Sequence, residues 1–303
     1  ISDTVSITMK EPLQVPLYEE FTIPVVFHVV VSEEEVLTYG NLSAARIAET
    51  MERLNNIFSG KATRNAAGVN TGIQFVLAQY NPAGELMDEP GINRVTVEEV
   101  TEGTPPDKYH RFLSQNNAIW PHEKYLNIWL MSETKYPKFW NSITKLCVPK
   151  YRLGSETLPG LSLPPVPSTW VPKVEQIGIL FRMSTFQYFQ RSIDATAERE
   201  LVTCIGNYLG LLDTWKINNS NVNDQCNDTF AYGIVNNNGS LGTNSSWSKE
   251  VGSYRFLSEN IMDDPTGTHR SVSKDQALRM YWVLKNCAGR SMWQSDFALT
   301  GKE

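Results

Sequence analysis

The run Thr203-Cys204-Ile205-Gly206-Asn207-Tyr208-Leu209-Gly210-Leu211-Leu212-Asp213-Thr214-Trp215 decides how the rest of the chain is read. Leu201, Ile205, Leu209 and Leu212 recur at three- and four-residue intervals, which predicts a helix over Asp194 to Leu212 with one apolar face. Thr203 and Asn207 stand one turn apart on another face, because side chains four positions apart project the same way. Gly210 is placed where a glycine lets the chain turn back out of a helix, and Asp213 lies just beyond that turn. Glu198 and Glu200 near the predicted N-terminus complement the helix dipole.

This spacing is the frame of the long zinc-protease signature His-Glu-x-x-His-x-x-Gly-x-x-His, in which three histidines hold the metal and the glutamate is the general base. Thr203 and Asn207 take the first two ligand positions, Cys204 that of the base, and Asp213 that of the third ligand; Gly210 alone keeps its identity. The flanks carry a further likeness. Asn207 to Trp215 resembles the His-Tyr-Leu-Gly-Leu-Leu-His-Thr-Trp run of pappalysin-like metzincin metalloproteases. Glu259-Asn260-Ile261-Met262-Asp263-Asp264 resembles that family's Met-turn, and Ser273 to Met280 the helix opening after it. Ile23 to Val30 and Tyr125 to Leu130 are similar to its first and fourth strands, so the likeness runs in order from about residue 21 to residue 287.

The resemblance implies an α+β chain with a zincin-like fold: a twisted mixed sheet with a backing helix and a central helix, then an irregular C-terminal lobe. It implies that Met262 lies as a hydrophobic floor under the metal position, and that the protein is extracytoplasmic, either secreted or a surface or periplasmic lipoprotein of the Bacteroidetes type. Any membrane attachment would come through a lipid anchor outside this sequence. It does not imply activity, because fold does not fix function.

Composition is compatible with these expectations. With 303 residues, 41% of them hydrophobic and 20% charged, the chain can bury a full core as one domain or two closely packed lobes. No apolar run approaches the roughly 20 residues that cross a bilayer, and no basic segment followed by an apolar one opens the sequence. A net charge of -6 without a Lys/Arg cluster disfavours a nucleic-acid partner. Cys147, Cys204, Cys226 and Cys287 are too widely spaced for a Cys-x-x-Cys metal knuckle and too few for a disulfide-dense scaffold. The Asn-x-Ser/Thr sequons at Asn41, Asn218, Asn227, Asn238 and Asn244 are read as reflecting an Asn/Ser-rich loop rather than glycosylation.

Taken in order, residues 1 to 20 read as an extended arm, 21 to 212 as the zincin-like lobe, and 213 to 303 as the C-terminal lobe with the Met-turn and a last helix. Phe21 to Ser32 is a β-branched apolar run, hence a buried strand, in which the isolated His28 is expected to be a packed, hydrogen-bonded residue. Ala44, Ile47, Met51, Leu54 and Phe58 give a helix over Asn41 to Phe58, capped by Asn41 or Ser43. Ile73 to Tyr80, Ile92 to Val97 and Tyr125 to Met131 predict strands, and Pro106 to Asn116 a short helix. Ser132 to Val174 holds seven prolines and reads as a long surface insertion or a loop over the former cleft, leading to a cleft-edge strand at Gln176 to Phe181. Lys216 to Trp247 should be irregular. Ser273 to Asn286 is a helix opened by a capping box, and Trp293 and Phe297 offer a tail that could dock on the body.

The chemistry follows from residue types. A catalytic zinc needs three good donors and a nearby carboxylate base. Only Asp213 is an ordinary ligand in a ligand position; a threonine hydroxyl and an asparagine amide are weak donors. Zinc is therefore expected to be lost, and Gly210 and Met262 are expected to be structural. Cys204 lies mid-helix, where nothing lowers its pKa; a pairing with His269, seven residues after Met262, is the one nucleophilic alternative. Asp224, Asn227 and Asp228 suit either a calcium ion or a solvated loop. Two functional readings stand: a non-catalytic protease-like protein that holds an extended peptide or protein segment by β-augmentation, and an active zinc metallopeptidase with ligands from elsewhere. Only His28, His110, His122 and His269 are available to the second, and none is paired at helical spacing.

Overall fold

Phe21–Ser32 (β1) is the strand around which the sheet assembles. In the computed structural model, residues 19–36, 42–63, 67–97, 113, 117–131, 145–148, 177–183, 196–217, 223–230, 232–234, 236–237, 240–241, 248–251, 254–264 and 267–302 are described. Along one edge β1 pairs in parallel first with Ile73–Leu77 (β2) and then with Ile92–Val97 (β3). Its other edge pairs in parallel with Leu126–Met131 (β4). Beyond β4 come Lys145–Val148 (β5), antiparallel, and Gly178–Arg182 (β6), parallel to β4, in the order β2-β1-β4-β6-β5.

Both faces of the central strands are covered, which is why β1 and β4 read as continuous apolar runs. Ile23, Val25, Phe27, Val29 and Val31 join the main core with Leu126, Ile128 and Leu130. Helix Ala44–Phe58 (α1) lies on that face through Ile47, Met51, Leu54 and Phe58, with Ser43 as its N-cap. Helix Thr196–Tyr208 (α2) and helix Lys274–Asn286 (α3) bury side chains in the same cluster. Asn55 ties α1 to β2: its side chain donates to Phe75 O and accepts from Phe75 N, both at 2.8 Å, in the manner of an added strand residue.

On the opposite face, Val30, Trp129 and Met131 pack with Val95 and Ala118, while Val26 packs with Trp120 and Tyr125. His28 sits here, wholly buried, in a closed set of hydrogen bonds. Asn93 Nδ2 donates to its Nδ1 at 2.9 Å, so Nε2 carries the hydrogen and donates to Asn127 Oδ1 at 2.8 Å. Asn127 is fixed in turn by Trp120, accepting from its N at 3.2 Å and donating to its O at 2.9 Å. His28 is thus a packed residue, as the sequence suggests.

Several expectations need correction. The segment expected as the cleft edge, near Gln176 to Phe181, is an interior strand, because β5 adds outside it. β5 itself falls inside the stretch read as a loop, Ser132 to Val174; its four residues are too few, among seven prolines, to stand out as a strand. The rest of that stretch, the arm up to residue 18 and all but Leu113 of the helix expected over Pro106 to Asn116 lie outside the described residues. Lys216 to Trp247 contains short ladders, Trp215–Ile217 (β7) pairing in parallel with Tyr232–Ile234 (β8), and Asn236–Asn237 with Ser240–Leu241. The tail does dock. Trp293 meets the Phe21 ring edge-on at 4.9 Å, and Ala298 O accepts from both Gln79 N and Tyr80 N, at 2.7 and 3.0 Å.

Burial holds the His28 pKa down to about 4, from an ordinary value near 6.5. The folded value lies below the unfolded one, so this stabilisation is complete above pH 6.5 and declines as pH falls toward 4. Between pH 7 and 4.5 the site should lose about 2 to 3 kcal/mol. Urea unfolding should therefore show a steeper acid loss for the native chain than for His28→Leu; parallel profiles would exclude this origin.

Candidate functional site

The stretch that frames the site is held by the way α2 ends. Gly210 adopts φ +87°, and the paired bonds Leu211 N to Gly206 O (2.8 Å) and Gly210 N to Asn207 O (3.0 Å) form a Schellman turn. A β-carbon at 210 would be strained in that left-handed conformation, which explains why this glycine is required. Two cations close the helix end: Arg279 Nε donates to Gly210 O at 2.7 Å and Arg290 Nε to Tyr208 O at 2.9 Å. The turn also corrects the apolar face. Leu201, Ile205 and Leu209 are buried as the periodicity predicts, but the helix stops at Tyr208, so Leu211 enters the core and Leu212 is only half-buried.

The Met-turn lies directly against this helix. Asp263 N donates to Asn260 O at 3.1 Å, and Met262 N to Asn260 Oδ1 at 2.9 Å. Asn260 is locked by Gln276 of the α3 capping box through two side-chain bonds of 2.8 and 2.9 Å. Met262 is fully buried and packs over Gly206: a β-carbon there would lie 2.6 Å from Met262 Sδ and 3.4 Å from side-chain carbons of Ile261 and Leu211. Gly206 is a site residue that sequence reasoning passed over. Its signal was available, since a glycine inside a helix costs about 1 kcal/mol relative to alanine and calls for a packing reason.

The frame residues meet the Met-turn and one another. Thr203 is buried, and its hydroxyl donates to Ile261 O at 2.8 Å. Asn207 Nδ2 faces Thr203 O at 3.2 Å, Asp213 Oδ1 at 3.4 Å and Met262 Sδ at 3.9 Å. The fold therefore brings Thr203, Asn207, Asp213 and Met262 together. It also brings in His269, whose Nδ1 lies 3.3 Å from Thr203 Oγ1. Cys204 points elsewhere, into the main core at 0% exposure, where a nucleophile would have no access to substrate.

The loop weighed for calcium is tied to the start of α3. Asp228 accepts from Ser273 Oγ at 2.6 Å and Asp275 N at 2.9 Å, and Asp275 accepts from Asn227 N at 2.8 Å. Asp224 turns inward, accepting from the Thr229 hydroxyl at 2.5 Å, and burial pushes its pKa up. Burial likewise pushes the neighbouring Cys226 thiol up to about 12, which keeps it protonated. A cavity of about 140 Å³ opens between this loop and the Met-turn, with Thr214, Asp228, Asn260, Asp263 and Ser273 on its wall. Asp263 is held there by the Thr214 hydroxyl at 2.9 Å and by Asn260 N at 3.1 Å. Among the described residues, no three His, Cys, Asp or Glu side chains are grouped so as to hold a metal ion.

Comparison with known proteins returns no matching family model and no match among curated proteins. Solved structures do match. The chain is similar to mature Tannerella forsythia mirolysin in complex with a cleaved peptide, with a TM-score of 0.66 at 19% identity, covering 94% of this chain and 99% of that one. Mirolysin in complex with a small compound gives 0.65 at 20% identity over 93% and 98% of the two chains. A Tannerella forsythia promirolysin mutant gives 0.65 at 19% over 93% and 86%. The chain thus shares the zincin-like fold of mirolysin, which is the fold the sequence resemblance implies.

The contact between Gly206 and Met262 is open to a direct test. Met262→Ala should destabilise by about 2 to 5 kcal/mol through the cavity it leaves. Gly206→Ala should cost about 1 to 3 kcal/mol by overpacking. In the Met262→Ala background the same substitution should become neutral or stabilising, because the clash is gone and alanine favours the helix. Additive losses in denaturant titrations would show that the sulfur does not set the identity of residue 206.

Proposed function

We propose that this chain is a metalloprotease-like protein without peptidase activity, retaining the scaffold to bind extended peptide segments. The observation that carries this reading is the chemistry of the donor set. Of the three ligand positions, one holds a hydroxyl that donates to the Ile261 carbonyl and another an amide turned toward Asp213 and Met262. A neutral hydroxyl and an amide are poor partners for zinc, and Asp213 alone cannot hold it. The position of the general base carries Cys204, a core residue. These residues do not fit a catalytic zinc, and no hydrolytic step is assigned to them.

The peptide reading rests on the sheet. Among the described residues β5 has a neighbour, β6, on one side only, so its outer edge offers backbone groups to an added strand. Side-chain selectivity would then come from the surface between β5 and the frame residues, since α2 packs against β5. Mirolysin, whose fold this chain shares, has been solved with a cleaved peptide. We place the protein outside the cytoplasm on the strength of the family resemblance; among the described residues no helix is long and apolar enough to cross a membrane.

Elemental analysis after dialysis tests the first half of the proposal: zinc should be far below one per chain, EDTA should shift the melting temperature little, and peptide substrates should stay intact. One tightly held zinc per chain would overturn it. For the second half, hydrogen exchange in the presence of unstructured peptides should protect backbone amides within Lys145–Val148, and unchanged exchange there at saturating peptide counts against this edge. Restoration tests the frame itself. Thr203→His, Asn207→His and Asp213→His together should create zinc binding, whereas adding Cys204→Glu should not restore peptidase activity, because the side chain at 204 faces the core.

A further inference from the structure

The residues of the frame, together with His269, link three separate segments: α2, the turn that follows it, and the Met-turn. His269 is the most heavily used. It is 3% exposed and adopts φ +52°, a left-handed conformation uncommon outside glycine. Its Nε2 lies 3.1 Å from Asp263 O and 3.0 Å from Asp264 O, both acceptors, so Nε2 carries a hydrogen. The other ring nitrogen is then an acceptor and faces Thr203 Oγ1 at 3.3 Å, so the single hydroxyl hydrogen of Thr203 is shared between it and Ile261 O at 2.8 Å. His269 thereby serves the Met-turn carbonyls at 263 and 264, and the Thr203 hydroxyl bridges its ring and a third, at 261. Gly267 makes room for the ring: a β-carbon there would lie 2.8 Å from Cδ2 and 2.9 Å from Nε2 of His269. Asn207 completes the set, reaching both Asp213 and the Met262 sulfur.

We infer that Thr203, Asn207, Asp213 and His269 form a metal-free clasp that fixes the Met-turn and the post-helix turn against α2, with His269 as its strut. A metal held from 203, 207 and 213 would join α2 to the post-helix turn. In this chain the bond from Asn207 to Asp213 makes that join, and the imidazole adds the one to the Met-turn. The clasp goes beyond the proposed lack of activity, because it says what holds these segments in place of an ion. It has a further consequence: His269 presses on the side chain at 203, so a ligand placed there must compete with it.

Two measurements test the clasp. In chelator-treated protein, Thr203→Val and His269→Ala should each lower the urea midpoint, and the double variant should lose clearly less than the sum. His269→Gln, which keeps an amide nitrogen near the Nε2 position, should recover at least half of the His269→Ala loss, and it replaces that variant in the cycle if His269→Ala does not fold. Additive losses would overturn the clasp. In the second measurement, the variant with Thr203→His, Asn207→His and Asp213→His is titrated with zinc alone, with and without His269→Ala. Affinity should rise at least tenfold when His269 is removed, and equal affinities would overturn the competition. If neither version binds zinc, the ligand-frame reading fails, while the urea cycle still decides the clasp.

Discussion

The C-terminal half of the molecule depends on how closely the Met-turn approaches α2. The Met262 sulfur occupies the space that a side chain at 206 would need, and this sets the distance between the two segments. Asn260 holds the turn's shape and is itself held by Gln276, so the capping box of α3 both starts a helix and braces the Met-turn. Arg279, one turn further along α3, reaches back to the carbonyl at Gly210. The end of α2, the Met-turn and the start of α3 therefore form one unit, and a change in any of them is felt by the others.

Much of this was readable from the residues. The period of Ile47, Met51, Leu54 and Phe58 gave α1 its buried face, Ser273 with Gln276 gave α3 its start, and the unbroken apolar run of β1 reflects a strand covered on both faces. Gly210 was legible because a left-handed turn closing a helix admits few other residues. What the sequence hid has physical causes as well. β5 is four residues long and draws its stability from β6 rather than from its own pattern, so no local signal marks it. Leu212 was misplaced because periodicity does not say where a helix ends. His269 could be reasoned toward Cys204 but not toward Thr203, since the contact depends on a backbone conformation that histidine seldom adopts.

The arrangement at the frame shows how hydrogen bonds between side chains and backbone can hold these segments in place. Hydrogen bonds to backbone carbonyls are directional and individually modest, about 1 kcal/mol net when neutral, whereas an unpaired buried carbonyl costs more. Binding the carbonyls at 261, 263 and 264 therefore matters mainly because it avoids leaving them unsatisfied beneath the helix. Such bonds require buried, well-placed donors, and Thr203 and His269 supply them.

The docking of residues 297–301 on the turn after β2 bears on the order in which the molecule can assemble. Ala298 O receives the amides of Gln79 and Tyr80, Phe297 is buried beside the Lys124 ammonium, and a β-carbon at Gly301 would strike the Tyr80 ring. The contacts with Gln79 and Tyr80 join positions more than two hundred residues apart, and Tyr281 makes another through its bond to Thr71 O. Loop closure of that span is slow compared with forming local helices. During synthesis, the turn after β2 must wait without these contacts until residue 301 has emerged from the ribosome, long after the first strands of the sheet are available.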